Sequence, residues 1–176
     1  GEALGEEHSK VLTMRTNRAL ALAERGERER ALAMFAAIEP VALREWGPLH
    51  PKMLALRNNR ATVLQDLGRM DEALLVFEEQ GDVHLRLFGE RHVETIVARN
   101  NLSVALMDVE RYERATEVLR ANLEALDGPI GEADPVMVVR AEMNYAAALS
   151  GLDRKDEALE VSGSVLERLG ALVGPE

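Results

Sequence analysis

Asparagine recurs along this chain at a nearly fixed spacing, and its carboxamide group can bind a polypeptide backbone. Four asparagines are 42, 42 and 43 residues apart, and two of them directly follow another asparagine. A carboxamide offers two N–H donors and a carbonyl acceptor, so it can pair with the N–H and C=O groups of an extended peptide. Asparagine is a mediocre helix former, so its repeated use in segments that read as helices needs another reason. The six residues are Asn17, Asn58, Asn59, Asn100, Asn101 and Asn144.

The same asparagines also have a structural interpretation, which the sequence leaves open. In that alternative their side chains bond to neighbouring helices and brace the fold, or duplication copied them without any role in binding. Arginine recurs with the same period, and we call such a set of residues at equivalent positions of the repeats a column. For the arginine column we expect ion pairs with acidic residues on adjacent helices. Its members are Arg15, Arg57 and Arg99.

Histidine recurs with the same period at His8, His50 and His92, but the spacing argues against a metal site. Equivalent positions on successive packed helices lie about 10 Å apart, whereas metal ligands converge within about 2 Å of one ion. We expect these histidines to cap helices, and the chain has no cysteine to supply thiolates. Motifs of nucleotide-binding proteins, zinc proteases and serine hydrolases are absent from the sequence. The sequence therefore predicts no catalytic residue, no cofactor and no metal.

Composition restricts the class of partner. The chain has 176 residues with a net charge of −10, and 47% of its residues are apolar. Nucleic-acid binding needs a basic surface and a membrane span needs about 20 consecutive apolar residues; the sequence has neither. The acidic charge favours protein partners that are neutral or basic. The lack of cysteine is compatible with a cytoplasmic location, which we predict.

The elements that position the asparagines follow from the period. Gly5, Gly47, Gly89 and Gly131 are each 42 residues apart, and each unit that they open reads as two helices. One such hairpin cannot bury its own apolar face, whereas stacked hairpins can, so we predict an all-α solenoid. We expect a single array, 1–176, with repeats at about 5–46, 47–88, 89–130 and 131–173. The predicted helices are 9–25, 28–45, 51–67, 70–87, 93–109, 112–126, 135–152 and 155–169.

Two further columns indicate how the two helices of a unit meet. Gly26 and Gly68 end the first helix, where a left-handed residue is needed, and Glu110 and Asp153 hold the equivalent places. Alanine recurs early in each second helix, where a small side chain lets two helices approach closely. These alanines are Ala31, Ala73, Ala115 and Ala158.

Residues 47–73, GPLHPKMLALRNNRATVLQDLGRMDEA, resemble a tetratricopeptide repeat. The succession of G-x-x-H-P, R-N-N-x-A and L-G-R-x-x-E-A, with its 42-residue length, is similar to the kinesin-light-chain-like subfamily, which is common in bacterial signalling proteins. The resemblance implies a right-handed superhelix whose first helices line a concave groove. It also implies a protein-binding scaffold rather than an enzyme, although analogy of fold does not by itself fix function.

On the geometry that this resemblance implies, the asparagine column points into the groove. An extended peptide would then present about three residues to each repeat, or about nine or ten in total. Glu24, Asp66 and Asp108 form an acidic strip, or else a solvated edge, and Arg140 is the basic residue that faces inward. We therefore expect a ligand with apolar and neutral or basic residues. The predicted peptide-binding residues are Asn17, Asn58, Asn59, Thr62, Asn100, Asn101, Arg140 and Asn144.

Two alternatives for the role of the chain stay open beside peptide binding. In the first it is a self-assembly module, in which the open end of the stack pairs with another copy to give a homo-oligomer. In the second it is a regulatory array attached to a signalling kinase or ATPase domain. Because the last residues fall at a repeat boundary, we expect the chain to be part of a longer protein.

Overall fold

The computed structural model describes the backbone of residues 2–127 and 135–173 and the side chains of residues 8–127 and 135–171. Within those ranges the secondary structure is entirely helical. The chain divides into two compact units, residues 1–80 and 81–176, and the boundary falls inside the fourth helix. The helices are α1 (Glu2–Glu24), α2 (Arg28–Trp46), α3 (Pro51–Asp66), α4 (Met70–Phe88), α5 (Val93–Asp108), α6 (Tyr112–Leu126), α7 (Pro135–Gly151) and α8 (Lys155–Val173).

All eight predicted helices are present in the described residues, and the predictions are wrong chiefly at two ends. Helix α1 begins at Glu2 rather than at residue 9, and α8 ends at Val173 rather than at residue 169. Gly47 is followed by Pro48 and Pro51, which interrupt helical hydrogen bonding, whereas Gly5 has no proline nearby and lies within α1. The single array of four repeats stays a prediction.

In the first unit, α2 packs against both α1 and α3. Ala19 of α1 and Ala31 of α2 are fully buried, and such small side chains let two helix axes approach closely. Phe35 and Ile38 of α2 are also buried in this core. The alanine column therefore has the packing role that its period predicted.

In the second unit, α6 packs against α5 and α7, and α7 also packs against α8. Ala115 and Leu119 of α6 are fully buried. Gly151 of α7 lies so close to Tyr112 that an added Cβ would be 2.4 Å from the ring atom Cδ1. Only a glycine fits there, so the seating of α7 against α6 is sterically specific.

The turns inside the repeats share one backbone conformation. Gly26 and Gly68 have φ of 83° and 73°, and Glu110 and Asp153 adopt the same left-handed region with φ of 59° and 58°. In all four turns the next residue donates its N–H to the carbonyl of a leucine five residues before it, at 2.9–3.0 Å. This bond defines a Schellman end of the helix. A side chain in the left-handed region is strained, so the two turns that carry Glu110 and Asp153 are less favourable than the two that carry glycine.

Two of the three periodic histidines cap helices. The Nδ1 atom of His50 accepts a hydrogen bond from the Lys52 N–H at 3.1 Å, and Nδ1 of His92 accepts one from the Glu94 N–H at 3.2 Å. These bonds satisfy N–H groups that the first turn of α3 and of α5 leaves without a helical partner. His8 lies inside α1, so the expectation that it caps a helix is wrong.

The arginine column makes its predicted ion pairs at Arg57. Its Nε lies 3.3 Å from Glu39 of α2 and its Nη1 lies 3.3 Å from Glu79 of α4. Arg60 also binds Glu39, so this carboxylate joins two arginines of α3. At the equivalent position of the third repeat, Nη1 of Arg99 is buried and has no hydrogen-bond partner within the described part of the chain.

Candidate functional site

A groove between α5 and α7 contains half of the predicted site residues. Its volume is about 300 Å³, and both helices belong to the second unit. Asparagine side chains, one arginine and apolar side chains line it together. The lining residues are Val97, Asn100, Asn101, Val104, Val136, Met137, Arg140 and Asn144.

The equivalent asparagines of two successive repeats reach the same space in this groove. Asn101 of α5 and Asn144 of α7 are both half-buried, and Arg140 is exposed one helical turn before Asn144. The valines that line the groove leave apolar surface open to solvent, most of all at Val136. The groove can therefore pair with backbone amides and carbonyls while it covers an apolar side chain.

Asn100 differs from its neighbour Asn101 in what it contacts. It is only 6% exposed, and its Oδ1 accepts a hydrogen bond from Nδ2 of Asn122 at 3.2 Å. The same Nδ2 donates to the Ile96 carbonyl at 3.0 Å, so Asn122 joins α6 to α5. Asn100 thus has the bracing contacts of the structural interpretation, although one side of it lines the groove.

Sequence reasoning missed Asn122 as well as Val136 and Met137. A signal for Asn122 exists, since Gln80 and Asn122 are 42 residues apart in a column of otherwise apolar core residues. For Val136 and Met137 the signal is an apolar pair directly after the proline that begins α7. Neither signal indicates by itself which way the side chains point.

A second groove, of about 260 Å³, lies between α1 and α3 in the first unit. Asn59 and Thr62 line it, and the Thr62 hydroxyl donates to the Asn58 carbonyl at 3.2 Å within its own helix. Asp66, at the end of α3, accepts a hydrogen bond from Nε of Arg28 at 3.2 Å. The lining residues are Leu20, Ala23, Glu24, Arg28, Asn59, Thr62, Val63 and Asp66.

The remaining predicted residues lie outside these two grooves. Asn17 is exposed on α1 and Asn58 is half-buried on α3, and neither is among the residues that line these two grooves. In the acidic strip, Glu24 and Asp66 share the groove between α1 and α3, and Arg28 compensates part of their charge. The structure thus brings Asn59 and Thr62 together in one unit, and Asn100, Asn101, Arg140 and Asn144 in the other.

A larger cavity lies elsewhere and is lined by ion-paired residues. It measures about 490 Å³ and lies on the first unit, where α2, α3 and the start of α4 meet. Two of its three carboxylates are engaged, since Glu39 binds Arg60 and Glu72 accepts two hydrogen bonds from Arg69. These bonds from the Arg69 guanidinium hold the pKa of Glu72 below its ordinary value. Most of its charged groups are therefore paired within the chain.

The described residues contain no cluster of three or more histidine, aspartate or glutamate side chains placed to hold a metal ion. Among the same residues, no helix combines the length and the apolar character that crossing a bilayer requires.

Comparison with known proteins finds one matching family. The model of the tetratricopeptide repeat family matches residues 52–127, which run from the second residue of α3 to the residue after α6. No curated protein matches the chain.

Solved structures resemble this fold over most of the chain. BtubC (BKLC) from P. vanneervenii has a TM-score of 0.86 at 17% identity, with 96% of this chain and 67% of that chain covered. A predicted kinesin light chain of Podosopora anserina with nearly identical TPR-like repeats has a TM-score of 0.78 at 17% identity, covering 89% and 74%. MamA from Desulfovibrio magneticus RS-1 has a TM-score of 0.60 at 18% identity, covering 89% and 75%. These likenesses confirm the predicted fold class, an all-α solenoid.

Proposed function

We propose that this chain, whose residues 52–127 match the tetratricopeptide repeat family and whose fold resembles that of kinesin-light-chain TPR-like repeats, binds an extended segment of a partner protein in the groove between α5 and α7. Arrays of this fold serve generally as protein–protein interaction scaffolds. The observation that carries the finer proposal is that Asn101 and Asn144 line one groove together with apolar side chains.

The chemistry of the groove suits a peptide backbone. Each carboxamide donates to a peptide C=O and accepts from a peptide N–H, so Asn101 and Asn144 hold the backbone whatever the partner's side chains are. The apolar walls, with Val97 and Met137, then favour an apolar side chain of the partner. Arg140 adds a charged donor for a backbone carbonyl. Affinity thus comes from the amides, and side-chain preference comes from the apolar walls.

The groove between α1 and α3 favours neutral or basic residues. Glu24 and Asp66 contribute two negative charges to it and Arg28 contributes one positive charge. The net charge of −10 also disfavours an acidic partner, since the field of the whole chain repels it. Asn59 supplies the amide of this groove, and we propose a weaker role at its edge for Asn17.

The test separates binding from folding. A displayed library of random peptides of about ten residues, long enough to cross the groove when extended, is selected on the chain. The selected peptide is then titrated by fluorescence anisotropy. Asn101→Ala combined with Asn144→Ala should raise Kd by about 30-fold, since two lost amide pairs cost about 2 kcal/mol.

The controls use the same helices. Ser150→Ala changes an exposed polar residue of α7 outside the groove and should leave Kd unchanged. Asn100→Ala should reduce the free energy of unfolding by more than it reduces the free energy of binding, because Asn100 bonds to Asn122 within the fold. Unchanged Kd in the Asn101 and Asn144 double variant, with helicity intact by circular dichroism, would refute the proposal.

The role of the chain in a larger assembly stays a prediction. A regulatory array attached to a kinase or ATPase domain uses the same grooves, and the partner is then a segment of the same protein. In either case we propose action in the cytoplasm, on protein rather than on nucleic acid or membrane.

A further inference from the structure

Helix α8 exposes an apolar face whose equivalent on α6 is covered in part: the equivalent of Leu159 is buried, that of Leu166 is half-buried, and that of Gly163 is exposed. Leu159 and Leu166 are each 70% exposed, and they lie seven residues apart on one side of the helix. Gly163 lies between them with open space where a Cβ would be. Thr116 of α6, 43 residues before Leu159, is only 3% exposed, and α7 packs on α6. This α8 face, formed by Leu159, Gly163 and Leu166, is therefore a surface of the kind that the first helix of another repeat covers.

Helix α1 exposes the complementary face. Val11 and Met14 are 41% and 63% exposed. Leu56 of α3 and Ala141 of α7 occupy the position of Met14 in later repeats, and both are 0% exposed. Helices α3 and α7 pack on α2 and α6, the second helices of the repeats before them. This α1 face, formed by Val11 and Met14, thus has the position from which other first helices contact a second helix.

The charges along one flank of each face are opposite, and Lys155, on the other flank of the α8 face, is paired with Asp153. At 100° per residue, three exposed acidic residues lie along one flank of the α8 face: Asp156, Glu160 and Glu167. Beside Val11 and Met14 on α1 lie Arg15 and Arg18, both exposed. Complementary charge favours contact between an α1 face and an α8 face. Two α8 faces would instead bring their acidic flanks together, which disfavours a symmetric pair.

We propose that the α8 face of one copy binds the α1 face of a second copy, which repeats between molecules the packing that α7 makes on α6. Apolar burial drives the contact and the flanking charges orient it. Each copy of this 176-residue chain keeps one free face of each kind, so the contact is heterologous and assembly of such chains continues beyond the dimer, as a ring or as a filament.

Sedimentation equilibrium of the whole chain at concentrations up to about 1 mM measures the association. Leu166→Lys should raise the dissociation constant by at least about tenfold, since it places an ammonium group in an apolar contact. Leu75→Lys is the matched control, because Leu75 is 68% exposed on α4 and belongs to neither face. A wild type that stays monomeric over the whole range overturns the proposal, and so does an equal effect of the two substitutions.

A mixing experiment tests the polarity of the contact. Met14→Glu impairs the α1 face and leaves the α8 face intact, whereas Leu166→Lys does the reverse. Each variant alone should be monomeric where the wild type associates, and an equimolar mixture should form a one-to-one complex and nothing larger. Undiminished self-association of either variant overturns the proposal, and so does a mixture that stays monomeric.

Discussion

Giving Arg99 the acidic partner that Arg57 has should stabilise the second unit. Arg57 binds Glu79, which is 22 residues further along the chain. The residue 22 after Arg99 is Ala121 on α6. The same spacing brings Ser164 within 3.2 Å of Glu142, so side chains at these two positions do reach each other in the second unit. Ala121→Glu should therefore place a carboxylate beside the buried Nη1 of Arg99.

The magnitude follows from what Arg99 lacks. A buried donor without a partner costs about 1–3 kcal/mol, whereas an exposed ion pair contributes about 0.2–1 kcal/mol. Glu79 is more than half exposed in its pair with Arg57, so the new glutamate should recover only part of the buried cost. We expect a gain of about 1 kcal/mol in the free energy of unfolding. For a cooperative unit of about 100 residues, such as the second unit, that raises its Tm by about 4–8 °C.

The assay can follow each unit separately. Trp46 lies in the first unit, whereas both tyrosines, Tyr112 and Tyr145, lie in the second. Ala121→Glu should shift the thermal and urea transitions seen by tyrosine absorbance and leave the transition seen by tryptophan fluorescence in place. Added salt should reduce the gain, because the pair is partly exposed.

The control and the refutation use the same site. Ala121→Gln has nearly the same size without the charge, and it should recover less stability. In an Arg99→Ala background, Ala121→Glu should bring no gain, and the difference between the two backgrounds measures the pair itself. An equal gain in both backgrounds would show that Arg99 is not the partner and would refute the reasoning.

Three further predictions concern local structure. Glu110→Gly should raise the free energy of unfolding by about 1 kcal/mol, because it removes a side chain from the left-handed region. Gly68→Ala should lower the free energy of unfolding by a similar amount, and urea denaturation measures both changes. His50→Ala should cost about 1 kcal/mol through the lost cap of α3, whereas His50→Asn should keep the cap, as thermal denaturation can show. Because the pKa of Glu72 is lowered in the folded state, its bonds to Arg69 stabilise the fold at any pH above the ordinary pKa of 4.5. This contribution is lost as the pH falls through the lowered pKa of the folded state. Arg69→Gln should bring that pKa back up in a carbon-13 NMR titration, and an unchanged titration curve would contradict the assignment.

Much of the fold could be read from the period. The left-handed conformation of Glu110 was predictable because it holds the place of Gly26 and Gly68 in its repeat, not because glutamate favours that conformation. The inner helix ends were predictable because glycine and proline mark them. The start of α1 was not, since no such residue interrupts the helix after Gly5.

What the sequence by itself determined is the repeating hairpin and the helix face on which each column lies, because helical periodicity relates residues of one helix to one another. What only the tertiary structure decided is which side chains of that face meet a partner. Asn100 and Asn101 are neighbours, but a rotation of 100° turns the first toward Asn122 of α6 and leaves the second in the groove beside Asn144 of α7. Arg57 and Arg99 occupy the same column, yet only Arg57 has acidic residues at the facing positions. The partners belong to other helices, so their identity depends on how the helices pack, which the periodicity of one helix does not contain.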